Sequence, residues 1–82
     1  MSNIIDAIRA ELDRLDAGGD DGIEVEAHPA GVRFYDTQES AVYDAAEALA
    51  ALRAVGPDDI NPDDGGGFGA AWNALAHLQE VP

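Results

Sequence analysis

IEVEAHPAGVRFY, residues 23–35, decides the fold. Ile23, Val25 and Ala27 alternate with Glu24 and Glu26, and Val32 and Phe34 alternate with Arg33 and Tyr35. A period of two places one apolar and one polar face on each run. HPAG, residues 28–31, carries Pro29 and Gly31 and reads as a four-residue turn. The stretch therefore predicts an antiparallel hairpin with strands at 23–27 and 32–35. Two strands are marginal alone, so the apolar face needs helices to cover it.

Those helices are sought on either side. Upstream, Ile4, Ile5, Ile8, Leu12 and Leu15 recur at helical spacing, with Asp6, Arg9 and Asp13 opposite. They predict a helix over 3–17, capped by Ser2 or Asn3 and stopped at Gly18-Gly19 by a left-handed residue. Downstream, Asp36 and, three positions later, Glu39 match a capping box. It opens a predicted helix over 37–55, with Val42, Ala45, Leu49, Leu52 and Val55 toward the core and Tyr43, Asp44 and Glu47 away from it. Gly56-Pro57 ends that helix.

Residues 56–67 form an acidic connector in which Pro-Asp-Asp occurs twice, with Ile60 as apolar anchor and Gly65-Gly66-Gly67 as a flexible tip. A last helix is expected over 68–79, with Phe68, Trp72 and Leu75 on one side and Gly69 weakening its first turn. The order α-β-β-α-α defines one α+β domain spanning 1–82, its hairpin covered on one face by helices.

Catalytic and metal chemistry find little to use. The chain has no Cys and no Lys; Ser2 and Ser40 lie in no nucleophile motif. His28 and His77 have no ligand-spaced partner. DDINPDDGGGFG places Asp59, Asn61 and Asp63 at alternate positions like a calcium loop, but Asp64 and Ala70 stand where Gly and Glu are required. GGGFG lacks the Gly-Lys-Ser/Thr of a phosphate loop. No enzyme activity, metal site or cofactor is expected. The start lacks a basic leader, and nothing approaches the ~20 apolar residues of a membrane span, so a cytoplasmic monomer is expected.

Charge is what stands out. Asp and Glu number 17 against four Arg, for a net charge of −13. A chain of this length should have a radius of gyration of ~12 Å and a diameter of ~30 Å, so about one net charge per ~2.3 Å, against about one per ~1.7 Å along duplex DNA. Such self-repulsion opposes compaction. It also disfavours direct contact with nucleic acid or an anionic membrane. The carboxylates occur in every predicted element: Glu24 and Glu26 on the strand, Asp36, Glu39, Asp44 and Glu47 along the long helix, and Asp58, Asp59, Asp63 and Asp64 in the connector. Spacings of ~5–6 Å on a helix face approximate a phosphate repeat. Tyr35 and Tyr43, placed on outer faces, complete the expected contact set.

In size, acidity and absence of enzyme motifs the chain resembles the inhibitors that phages encode against host defence, anti-CRISPR proteins in particular. The resemblance implies a DNA mimic that occupies the DNA-binding surface of another protein, such as the PAM-reading face of a CRISPR effector in the host cytoplasm. Two other readings compete. Abundant Asp and Ala without Lys would also suit a salt-adapted cytoplasm, and an acidic adaptor could dock a basic protein unrelated to nucleic acid.

Overall fold

The computed structural model describes residues 3–18 and 22–81, all but the side chain of Asp64. The elements run α1 (Ile4–Arg14), β1 (Glu24–His28), β2 (Gly31–Tyr35), β3 (Ser40–Tyr43), α2 (Ala45–Arg53) and α3 (Gly66–Ala76). The class is α+β. The sheet has three antiparallel strands in the order β1-β2-β3.

The hairpin forms in the register that alternation requires, with Val25 opposite Phe34 and Glu26 opposite Arg33. His28 and Gly31 close it as a pair, so its loop is Pro29-Ala30. Gly31 has φ 152°, and a Cβ there would stand 2.2 Å from the Tyr43 carbonyl oxygen. The third strand therefore approaches the hairpin where a side chain would block it.

β3 corrects the expected helix over 37–55. Residues 40–43 pair with β2, Arg33 opposite Val42 and Phe34 opposite Ala41. DTQE and DAAE, residues 36–39 and 44–47, carry the same Asp-x-x-Glu signal. The second starts the helix: Asp44 is the N-cap of α2, and its Oδ2 accepts from the Glu47 N–H at 3.1 Å. The first closes the β2–β3 turn. Asp36 N–H donates to the Glu39 carbonyl at 2.9 Å, and Asp36 Oδ1 accepts from Gln38 and Glu39 N–H, both at 2.7 Å. The two motifs are separated by the residues on their C-terminal side. Ala-Leu-Ala-Ala-Leu-Arg propagates a helix, whereas Ser-Ala-Val-Tyr suits a strand that can pair with a waiting edge.

α1 ends earlier than expected, without using a glycine. Asp16 takes the left-handed conformation at φ 56°. The N–H groups of Asp16 and Ala17 donate to the carbonyls of Asp13 and Leu12, at 3.0 and 2.8 Å, in a Schellman arrangement. At the other end Asn3 Oδ1 accepts from Ile5 N–H at 2.9 Å. Ser2 and Gly19, the alternatives named for cap and stop, lie outside the described residues.

The core joins Ile5, Ile8, Leu12 and Leu15 of the first helical segment, Val25, Val32, Phe34 and Tyr43 of the sheet, and Ala48, Leu52, Ala71 and Leu75 of α2 and α3. Tyr43 is 5 % exposed, and its ring lies 6.1 Å from that of Phe34, tilted by 56°. The outward position expected for it is thereby corrected: in a strand, residue 43 shares the face of residue 41 and points inward. Val42, expected in the core stripe, takes the opposite face.

The connector is two short 3-10 turns, Pro57–Asp59 and Pro62–Asp64, with Ile60 packed against the core between them. Gly65–Gly67 is no flexible tip. α3 begins at Gly66, and a Cβ on Gly67 would lie 1.5 Å from the Leu15 carbonyl oxygen. Glycine lets the start of α3 seat on the end of the α1 segment.

Candidate partner-binding surface

The twelve residues expected at a contact surface divide into those occupied with holding the fold and those left to solvent. On the outer face of the sheet, Glu26 forms an ion pair with Arg33, its register partner. The Arg33 guanidinium lies 5.7 Å from the centre of the Tyr35 ring. Glu24 faces Tyr35, and its hydrogen bond and negative charge raise the tyrosine above its ordinary pKa. This face is thus a mixed network of charges and aromatic groups, not a bare anionic pair.

Three aspartates hold backbone. Asp36 binds the turn through Oδ1, and its Oδ2 accepts from Trp72 Nε1 at 3.0 Å, linking the sheet to α3. The Gln38 and Glu39 amides hold its carboxyl below the usual range; burial opposes them, and the indole adds the smallest share to the lowering. Asp44 caps α2. Asp59 Oδ2 accepts from Gly56 N–H at 2.9 Å, closing the first 3-10 turn. Glu39, Glu47, Asp58 and Asp63 are exposed and take no ion pair among the described residues. The side chain of Asp64 lies outside the description.

Cations are unevenly shared. Residues 34–82 contain nine Asp and Glu and one arginine, Arg53. Arg53 turns to Glu11 of α1 at 3.7 Å, a carboxylate that also binds Arg14 at 2.8 Å. Arg14 in turn donates to the carbonyls of Leu52 and Val55 at 3.0 and 3.1 Å, covering the end of α2. Arg9 pairs with Asp6 on α1. The acids around β3, α3 and the connector are left without a cation of their own among the described residues.

Glu39, Glu80 and Asp59 line hollows beside α3. A groove of about 600 Å³ runs between β3 and α3, lined by Ser40, Ala41, Tyr43, Trp72, Asn73 and Ala76, with Glu39 and Glu80 at its margin. Asn73 lines both this groove and a second hollow of about 300 Å³ beside Asp59 and Asn61. Burial, and after it the charges of Glu80 and Glu39, raise the Tyr43 phenol above its ordinary pKa.

Of the groove residues, Glu39 and Tyr43 were among those expected from the sequence; Glu80, Asn73, Trp72 and the rest of the walls were not. The second Asp-x-x-Glu motif, the one signal that could have placed β3 and hence the groove, was visible at residues 44–47. Among the described residues no three His, Cys, Asp or Glu side chains converge into a metal-binding group, and no helix is long and apolar enough to cross a membrane.

Fold and surface together define a small α+β domain with exposed carboxylates on several elements and few cations to pair them. Compared with protein-family models, curated proteins and solved structures, the chain matches none.

Proposed function

We propose that this domain is an acidic DNA mimic, which presents the carboxylates around β3, α3 and the connector to the DNA-binding surface of another protein and blocks it. The observation that supports this reading is the excess of uncompensated carboxylate: 17 Asp and Glu against four Arg, with Glu39, Glu47, Asp58 and Asp63 exposed and in no ion pair among the described residues. A groove lined with Lys and Arg would meet these carboxylates through charge-assisted hydrogen bonds and steered association. A CRISPR effector complex, whose PAM-reading face binds duplex DNA through arginines, is the narrower target this reading favours.

The test is displacement of a labelled duplex from DNA-binding proteins, CRISPR effector complexes among them. The chain should compete, and competition should weaken as salt rises. Reversing Glu47, Asp58 and Asp63 to Lys, none of which holds backbone, should weaken competition by at least about tenfold, while Asp6→Lys on α1 should change it less. Failure to displace DNA from any target would refute the mimic; displacement indifferent to those three reversals would move the site elsewhere.

One observation favours salt adaptation instead. Exposed acids also occur on and just after α1, at Asp6, Asp13 and Asp16, as general hydration of the surface would require. A salt-adapted domain loses its circular dichroism at low salt, whereas a mimic stays folded there. An adaptor would bind a basic partner without displacing DNA.

A further inference from the structure

The groove between β3 and α3 is held open by interactions that also set its charge. The 36–39 turn, closed by the hydrogen bonds of Asp36, fixes Glu39 at one margin. Val81 N–H donates to the Val42 carbonyl at 2.9 Å, which ties the chain after α3 to the edge of β3 and brings Glu80 to the groove. Trp72 forms a wall whose orientation is set by its bond to Asp36. Tyr43 reaches the groove from the core. It is 5 % exposed, and its hydroxyl has no hydrogen-bond partner among the described residues.

No buried side-chain polar atom of the described residues lacks a hydrogen-bond partner, so the phenol oxygen is the part of Tyr43 that meets the groove and its solvent. Here it opens into a polar hollow beside two carboxylates that no arginine of the chain pairs with among the described residues. We propose that this groove is the seat of a single arginine side chain supplied by a protein partner. The proposal deepens the docking role given to this side of the molecule and rests on it for the choice of a protein partner. A guanidinium offers five N–H donors in a planar fork. Glu39, Glu80, the Tyr43 oxygen and the Asn73 amide oxygen are acceptors, and the Trp72 indole provides an aromatic surface for stacking. The donor set is wrong for a metal, since Glu39 and Glu80 are the only carboxylates at the groove among the described residues. An uncharged side chain would leave two carboxylates unpaired.

The test uses the full chain and N-acetyl-arginine methylamide as probe. Trp72, the one tryptophan of the sequence, reports by fluorescence, and amide chemical shifts locate the site. Saturable binding is expected, with shifts confined to residues 39–43, 72–76 and 80–81. The citrulline analogue, which has the same shape without the charge, should bind at least about tenfold more weakly. The Glu39→Gln/Glu80→Gln variant changes only exposed side chains and should fold normally with a similar loss. Tyr43→Phe keeps the ring and should weaken binding severalfold. Absence of saturation, equal binding of the citrulline analogue, unchanged affinity in the double Gln variant, or shifts elsewhere would each overturn the assignment. Probe binding without DNA displacement would leave the groove standing and remove the mimic; displacement without probe binding would do the reverse.

Discussion

Asp36 shows what a single carboxylate does in this protein. Its two oxygens receive two backbone amides and one indole, so its charge organises a turn and joins two elements. It was expected to cap a helix and to face a partner; the residue type was right for hydrogen bonding to amides, but the amides belong to a β-turn. Its carboxyl titrates below its ordinary value. A lowered folded pKa means that the stabilisation is complete above the unfolded value of ~3.9 and is lost as pH falls through the folded value. Urea midpoints measured from neutral pH downward should therefore fall below about pH 4. Asp36→Asn should make that decline shallower and shift Trp72 emission already at neutral pH. An identical acid limb in the variant would mean that the carboxylate is not coupled to folding. Tyr43 makes the complementary point. Nothing about tyrosine says whether it is buried; the period of the element holding it does.

At the scale of elements, helix and strand compete for residues 36–47, and each has a motif. The apolar spacing of Val42, Ala45 and Leu49 fits a helix, while the alternation of Ser40, Ala41, Val42 and Tyr43 fits a strand. The strand prevails because β2 presents an edge whose N–H and C=O groups need partners and because Tyr43 then covers Phe34. α2 is left with nine residues, Ala45–Arg53, too few to hold together without its cap and its packing. Asp44→Ala should accordingly lower stability by about 1 kcal/mol, read as a shift in the urea midpoint with unchanged slope, and should fray the start of α2 first. α3 illustrates a constraint local propensity does not contain. Three consecutive glycines suggest a loop, yet Gly67 lies in a helix because the Leu15 carbonyl occupies the space of a Cβ. The glycine that weakens the helix locally allows it to dock.

For the whole molecule, the radius of gyration is 11.6 Å and the extents are 35 × 28 × 24 Å. A length of 35 Å shared among 13 net charges gives about 2.7 Å for each, sparser than duplex DNA but of the same order. A core with Phe34 as its one fully buried aromatic ring must contain that repulsion. Screening should therefore stabilise the fold. Raising NaCl from about 0.01 to about 0.15 M shortens the Debye length from ~30 to ~8 Å. The melting temperature should rise by roughly 4–8 °C for each ~1 kcal/mol of repulsion removed. The rise should level off within a few hundred millimolar; a rise continuing into the molar range would favour salt adaptation over mimicry.

The sequence by itself determined the class of the fold, the register of the first hairpin, the apolar stripe of α1 except for Ile4, which is exposed, and the excess of negative charge, because alternation, helical spacing and composition are local properties that each residue carries with it. Only the tertiary structure decided which Asp-x-x-Glu starts a helix, that Tyr43 is buried, which aspartates are occupied with backbone and that Glu39 and Glu80 meet at the α3 groove. Those outcomes depend on partners distant in the chain: the open edge of β2, the Leu15 carbonyl, the Trp72 indole and the Glu11 carboxylate that draws Arg53 away. Only folding brings these groups within hydrogen-bonding or van der Waals distance.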